Sequence, residues 1–459
     1  MSSYPRIIIA GMRGGSGKTT VSLAMIAGCR AMHLSVAPFK KGPDYIDAGW
    51  LSAAAGTACH SLDPFLIPAE TIQRSFVHHH NADIAIIEGN RGLHDGKDEF
   101  GTCSTAEVAK LLNCPVMLVV DCTKMTRTAA ALVLGCMKLD EAVRIRGAIL
   151  NHVSGKRHAS IVRASIERYC GIPVLGVIPR LKTSDMPERH MGLIPYQEHG
   201  AVQEAIAVAS SIAHDYLDME QICSIARSAE PLPIAPFPPP RVTQGAEAVS
   251  IGVLRDAAFQ FYYPENLEAL QALGAKIVEI DALSSPGLPP IDALYIGGGF
   301  PETNAIALAA NISFRDSVKV AVEQGLPVYA ECGGLMFLGE SIIVKGARHP
   351  MTGIFPLTFE MHERPQAHGY SIALVDQANP YYPQGTVLNG HEFHYSSPVL
   401  TAAPERAIFA FRMRRGEGIF EGRDGLCYKN VLATYTHVHA LGTPLWAEGL
   451  IRKAREYHG

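Results

Sequence analysis

Two stretches of this sequence carry residue types that could do chemistry. In Gly11-Met-Arg-Gly-Gly-Ser-Gly-Lys-Thr-Thr20, Gly14, Gly15 and Gly17 let the backbone curl so that N–H groups point inward at anionic oxygens. Ser16 and Thr20 belong to the same cradle. Lys18 is placed to reach the β- and γ-phosphates of a nucleotide, and Thr19 to offer a hydroxyl to Mg²⁺. In Leu326-Pro-Val-Tyr-Ala-Glu-Cys-Gly-Gly334 a short apolar run meets Cys332, two glycines and then an apolar helix-like segment. That is the pattern of a nucleophile elbow, with a thiol exposed on a sharp turn at a helix N-terminus that should lower its pKa. Gly333 and Gly334 leave N–H groups free for an oxyanion hole.

A thiolate in acyl transfer needs a base. Leu432-Ala-Thr-Tyr-Thr-His-Val-His439 reads as a strand carrying two histidines. Alternation places His437 and His439 on one face, so spacing alone does not choose between them. Gly390-His-Glu-Phe-His-Tyr-Ser396 contains His391 and His394 and reads as a substrate or support site. Gly297-Gly-Gly-Phe-Pro-Glu302, with Gly299 at its centre, is a flexible turn suited to presenting backbone N–H groups.

Carboxylates gather near the phosphate cradle in the sequence pattern. Lys40-Lys-Gly-Pro-Asp-Tyr-Ile-Asp47 ends a strand, and Lys41, Asp44, Tyr45 and Asp47 surround its Gly-Pro turn. Asp83-Ile-Ala-Ile-Ile-Glu-Gly-Asn-Arg-Gly-Leu-His-Asp-Gly96 is an apolar strand ending on Glu88, followed by a Gly-rich loop with Asp95. Thr19, Asp44 and Glu88 are the candidate Mg²⁺ residues, because hard cations take oxygen ligands. Asn151, at another strand end, is a candidate for reading a nucleotide base.

These residues need elements to hold them. Ile7–Ala10, Ser35–Phe39, Pro115–Asp121, Arg146–Asn151 and Pro173–Ile178 read as strands, and helix-like segments such as Ser104–Leu112, Arg127–Met137 and His158–Tyr169 alternate with them. Such alternation predicts an α/β fold with a parallel sheet covered on both faces. Pro231-Leu-Pro-Ile-Ala-Pro-Phe-Pro-Pro-Pro240 is an extended spacer. It separates an N-terminal domain, 1–228, from a C-terminal domain, 249–459, with 229–248 as linker. His190, in a charged cluster before the spacer, reads as a loop residue, and His78-His-His80 as a solvated loop.

The chain has 459 residues, 47% hydrophobic and 18% charged, with a net charge of −4. At roughly 100–200 residues per domain, two or three domains are expected. Nothing signals binding to nucleic acid. Met-Ser-Ser-Tyr-Pro leads straight into the first strand, which is no secretion signal. No apolar run approaches the ~20 residues of a membrane span. Ten cysteines without a Cys-x-x-Cys pair argue against a disulfide framework or a thiolate zinc site. A cytoplasmic enzyme with reduced thiols is the expectation.

The strict phosphate-loop pattern asks for glycine where Met12 stands. Read from Arg13, the loop resembles the deviant P-loop of the dethiobiotin-synthetase, septum-site and nitrogenase-iron ATPase group. The motifs taken together, in order along the whole chain, resemble the cobyrinic acid a,c-diamide synthase family: the P-loop, Lys41–Asp47, Glu88–Gly96, Gly297–Glu302, Ala330–Gly334 and Thr434–His437. The resemblance implies a dethiobiotin-synthetase-like ATPase domain joined to a flavodoxin-like class I glutamine amidotransferase domain. It implies ATP, Mg²⁺ and glutamine, with a corrinoid or related tetrapyrrole as substrate; a homodimer is compatible with it. Two acetate side chains would be activated as acyl phosphates and amidated. It assigns Cys332 as the nucleophile that attacks glutamine, His437 as its base, and Asp44, Asp47, Glu88 and Asp95 to the synthetase site. Class I amidotransferases carry His-x-Glu at this point, but His439 stands in the glutamate's place, so the triad lacks its usual third member. Nickel sirohydrochlorin and hydrogenobyrinate are alternative macrocycles; a P-loop switch whose second domain only binds a ligand is an alternative of another class.

Overall fold

The computed structural model describes residues 4–181, 188–189, 192–193, 202–232, 234, 248–401 and 408–458. His190 and most of the Pro-rich spacer lie outside the described residues. The chain divides into two compact units, Met1–Pro238 and Pro239–Gly459.

The first unit alternates strand and helix: β1 (Arg6–Gly11), α1 (Lys18–Ala31), β2 (Val36–Lys40), α2 (Tyr45–Ala55), β3 (His60–Ser61), α3 (Ala69–His79), β4 (Ile84–Gly92), α4 (Thr105–Leu111), β5 (Val116–Asp121), α5 (Thr128–Leu139), β6 (Ile145–Val153), α6 (Lys156–Cys170) and β7 (Val174–Pro179). The strands lie in the order 3-2-4-1-5-6-7, every pair parallel. Both faces are covered, so β1, β2 and β5 are buried along their whole length and read as unbroken apolar runs rather than alternating ones. Ile7, Ile9, Val21, Met25, Ile86, Val119 and Ile149 share one core. Burying each such side chain contributes about 1.5–3 kcal/mol. A helix at Val202–Tyr216 lies on α1, where Gly28 permits the approach: a Cβ there would sit 2.8 Å from Ala213 Cβ.

The chain leaves β1 towards β2 on one side and reaches β5 on the other. That switch of direction opens a crevice at the carboxyl ends of the strands. The P-loop follows β1, Glu88 lies in β4, and Asp121 closes β5, so all three meet this edge.

His78 and His79 are not in a solvated loop. They end α3, and His80 is buried with Nε2 2.9 Å from the Pro5 carbonyl and its ring against Tyr4 and Phe76. The apolar face of α3, with Ile72, Phe76 and Val77 buried, leads into buried His80, whereas His78 stays exposed and His79 is half-buried.

The second unit is built on a ten-stranded sheet. Strands 276–280, 250–254, 293–296, 328–331 and 431–434 run parallel in that spatial order. Strands 423–428, 408–415, 367–375, 387–394 and 437–438 continue it antiparallel. Four strands thus lie between 431–434 and 437–438 in the sheet, yet only two residues separate them in the chain. The antiparallel half must therefore curl back on itself, because so short a connection spans only about 11 Å at full extension. Among the described residues, no helix is long and apolar enough to cross a membrane.

Candidate active sites

Glycine shapes the P-loop. Gly17, at φ 89°, caps α1; a Cβ there would fall 2.1 Å from Asn151 Nδ2. Asn151 donates to the Ser16 carbonyl at 2.9 Å and so ties the loop to β6. Ser16, fully buried, donates back to the Arg13 carbonyl at 2.9 Å. The space above Gly14 and Gly15 is open. Lys18 lies along the loop, its Nζ 3.4 Å from the Arg13 carbonyl, and burial together with the nearby Lys40 ammonium lowers its pKa. Thr20 continues the first turn of α1. Arg13 reaches outward to Asp121 Oδ2 at 2.6 Å.

Beside the loop stands a cluster centred on one of the two lysines of the 40–47 turn, placed among its carboxylates. Lys40 ends β2, with Nζ 2.7 Å from Asp47 Oδ2 and 2.7 Å from Glu88 Oε1. Burial works against its ammonium, but Asp47, Glu88 and Asp44 together outweigh that and hold it well above its ordinary value. Glu88 Oε1 also accepts the Thr19 hydroxyl at 2.8 Å, whereas Glu88 Oε2 is buried with no hydrogen-bond donor among the described residues. Burial raises the Glu88 pKa. Asp44 caps α2, accepting from the Asp47 N–H at 2.9 Å; burial and the neighbouring Asp47 push it up to about 7. Lys41 turns to the other side, 3.8 Å from the fully buried Asp63. Tyr45 begins α2, and Asp95 accepts from the Gly92 N–H at 2.8 Å, closing the loop after β4. The cue for Lys40 was its place as the last strand residue at the carboxyl edge.

The second unit contains the elbow. Cys332 has φ 50° and ψ −99°, a strained conformation between strand Val328–Glu331 and helix Gly333–Leu338. A Cβ on Gly333 would meet the Gly299 nitrogen at 3.1 Å, so the helix start and the 297–299 turn are in close contact. The thiol is not activated as the sequence suggested: burial, reinforced by the negative charge of Glu302, raises its pKa. A six-residue helix start contributes less than removal from water takes away.

The predicted strand through both histidines is broken. Fully buried Asp424 accepts from the Thr434 and Thr436 hydroxyls and the Tyr435 and Thr436 N–H groups, which bends the chain into a turn. His437 then points at Gly298, where an added Cβ would lie 2.6 Å from its Cε1, and at Glu331, 3.4 Å from its Nδ1. His439 departs from it: its Nε2 lies 3.6 Å from Glu265 and its ring against Tyr263. His391 stacks on His437 with ring centroids 4.8 Å apart and takes a hydrogen bond with Tyr263; burial keeps it neutral, well below its ordinary pKa. His394 stacks on Tyr435, and burial lowers it to about 4. The Cys332 thiol lies 3.8 Å from the Phe393 carbonyl on the same strand.

Comparison with known proteins agrees with both halves. The CobQ/CobB/MinD/ParA nucleotide binding domain family matches residues 7–194, and the CobB/CobQ-like glutamine amidotransferase domain family matches 250–444. A cobyrinate a,c-diamide synthase of Magnetococcus marinus is 41% identical over 98% of this chain and 97% of its own length. That of Archaeoglobus fulgidus is 40% identical over 98% and 97%. That of Dehalococcoides mccartyi strain CBDB1 is 39% identical over 99% of both. With identities of this size over essentially full length, and both domain families matched in the same order, the chain belongs to the cobyrinate a,c-diamide synthase family.

Proposed function

We propose that the chain amidates the a- and c-acetate carboxylates of cobyrinic acid, with ATP as activator and glutamine as nitrogen donor. The observation that supports it best is the pairing, in one chain, of a P-loop joined to a buried lysine–carboxylate cluster with a strained cysteine elbow beside a histidine. Residues 1–228 form the synthetase domain, 229–248 the linker and 249–459 the glutaminase domain. A cytoplasmic setting suits the ten free cysteines.

In the first step a substrate carboxylate oxygen attacks the γ-phosphorus of ATP, and ADP leaves an acyl phosphate. Lys18 and the P-loop N–H groups stabilise charge on the transferring group. Mg²⁺ fits here: Glu88 Oε2 is a buried carboxylate oxygen without a donor among the described residues, and Thr19 and Asp44 are oxygen ligands of the right kind. Bound there, it would neutralise phosphate charge. Lys40 lies between Asp47 and Glu88, offsets their charge and holds them in place.

In the glutaminase site His437 takes the Cys332 proton, and the thiolate attacks the side-chain carbonyl of glutamine. The oxyanion forms near the Gly299 and Gly333 N–H groups. Collapse to the thioester expels ammonia, which takes the proton from His437; water then releases glutamate. Ammonia displaces phosphate from the acyl phosphate to give the amide, and the cycle repeats on the second acetate.

The test is mass spectrometry of the protein with ATP, Mg²⁺ and glutamine, offered cobyrinic acid and nickel sirohydrochlorin in parallel. Two successive acid-to-amide mass changes on the cobalt corrinoid are expected. Changes on the nickel macrocycle alone would transfer the same mechanism to another pathway. ATP consumption without any product would favour a switch protein.

A further inference from the structure

His437 needs a partner at Nδ1 to hold its Nε2 bare for the thiol proton. Position 439, two residues on, cannot supply one. It holds a histidine, and that ring is engaged elsewhere: Nδ1 accepts from the Leu441 N–H at 3.2 Å and Nε2 faces Glu265.

A carboxylate reaches His437 from another element. Glu331 is the last residue of strand Val328–Glu331, immediately before the nucleophile, and it is fully buried. Its Oε2 lies 3.4 Å from His437 Nδ1 and accepts the Tyr295 hydroxyl at 3.0 Å. Its Oε1 accepts the Val438 N–H at 3.2 Å, so the same carboxylate fixes both the ring and the backbone that carries it. Asn266 clamps the next residues, donating to the Val438 carbonyl at 3.0 Å and accepting from the Ala440 N–H at 2.7 Å. With Nδ1 turned to Glu331, the opposite edge of the ring faces Gly298, where an added Cβ would stand 3.2 Å from Nε2. That is the side on which the Cys332 helix begins, since an added Gly333 Cβ would lie 3.4 Å from the Gly298 carbonyl carbon.

We propose that Glu331 is the positioning acid of the glutaminase site. It accepts the Nδ1 proton of His437, selects the tautomer with Nε2 unprotonated, and stabilises the imidazolium formed when Cys332 gives up its proton. The acid and the nucleophile are thus consecutive residues, and the base comes from the far end of the sheet. Glu265 and His439 form a separate buried pair. This inference rests on the assignment of Cys332 and His437 above.

The test uses Glu331→Gln in the full-length protein. The amide keeps the shape and one acceptor but cannot stabilise a cation at Nδ1. Glutaminase kcat should fall by up to ~10⁴-fold, the loss seen when the acid of a comparable triad is replaced by its amide. KM for glutamine should stay within a few-fold, and ammonia-dependent synthesis should persist. The titratable groups around His437 include Glu331, the neutral His391 stacked on it, His394, whose low pKa the His437 charge reinforces, and the Tyr295 hydroxyl beyond Glu331. Only Glu331 changes, so the acid limb of the kcat/KM profile for glutamine should move to lower pH. A merely structural role would lower the rate and leave that limb in place. Glu331→Asp should recover part of the rate and the limb. If Glu331→Gln unfolds, Glu331→Asp decides alone: a glutaminase as poor as that of an Ala variant would overturn the proposal. Wild-type glutaminase in Glu331→Gln, or an unmoved limb, would overturn it too. Glutaminase that survives Cys332→Ser would instead sink the underlying assignment.

Discussion

The hydroxyl of Thr19 donates to Glu88 Oε1 across 2.8 Å, joining the phosphate loop to the strand beside it. The bond sets a P-loop hydroxyl next to a carboxylate whose other oxygen has no donor among the described residues. Thr19→Val keeps the shape and removes the hydroxyl. ATP-dependent synthesis should fall about 10²-fold, the loss typical of one preorganised polar group at a charged transition state. Glutamine hydrolysis should continue. Rapid-quench measurement of ADP formation checks this, and an unchanged burst would count against the site.

Lys40 neutralises the buried Glu88 and the half-buried Asp47 at once. Lys40→Met would leave Asp47 and Glu88 without their cation, a change that costs about 3–5 kcal/mol when one partner of a buried pair is removed. The unfolding midpoint should drop, and synthesis should be lost. Adding Glu88→Gln should recover part of the stability, because it removes one uncompensated charge. Denaturant titration of the two variants and the wild type decides. Strictly additive losses would mean that the charges do not interact.

Gly299 has φ 156°, and a Cβ there would fall 2.1 Å from the Ala258 carbonyl oxygen. Gly299→Ala must displace the turn that carries its N–H group. Glutaminase should fall ~10²–10³-fold, as for loss of an oxyanion-hole donor. Synthesis from ammonium chloride should be unaffected. Equal loss of both activities would show that the turn does more than serve the glutaminase.

Glu392 is buried, and burial together with Asp424 pushes it up to about 7. The folded chain therefore keeps a proton that the unfolded chain releases near its ordinary value of 4.5. Between about pH 4.5 and 7 the native state binds more protons, so stability is full below this window and falls as pH rises through it. At about 1.4 kcal/mol per pKa unit, the loss is on the order of 3.5 kcal/mol at most. Urea midpoints at pH 4.5 and 7.5 should differ more in the wild type than in Glu392→Gln. An identical fall in both proteins would remove Glu392 from this role.

Much of the fold is legible in local sequence. The apolar runs of β1, β2, β4 and β5 are buried on both faces, so they need no alternation to declare themselves. Gly17 and Cys332 mark turns because few residues tolerate their conformations. Lys40 was harder to single out. It stands beside Lys41 in the same turn, and only the direction of the last β2 residue sends one lysine to Glu88 and the other to Asp63.

The sequence by itself determined the two α/β halves, the phosphate loop and the cysteine elbow, because each is written in consecutive residues whose backbone preferences and side-chain types act together. Tertiary structure alone decided which acid meets His437. Residues 331 and 437 come together only because the parallel and antiparallel halves of one sheet curl round, while Asp424 breaks the strand that would have kept His437 and His439 on one face. Pairing across 106 residues follows from sheet order and a buried turn, and neither is encoded in spacing along the chain.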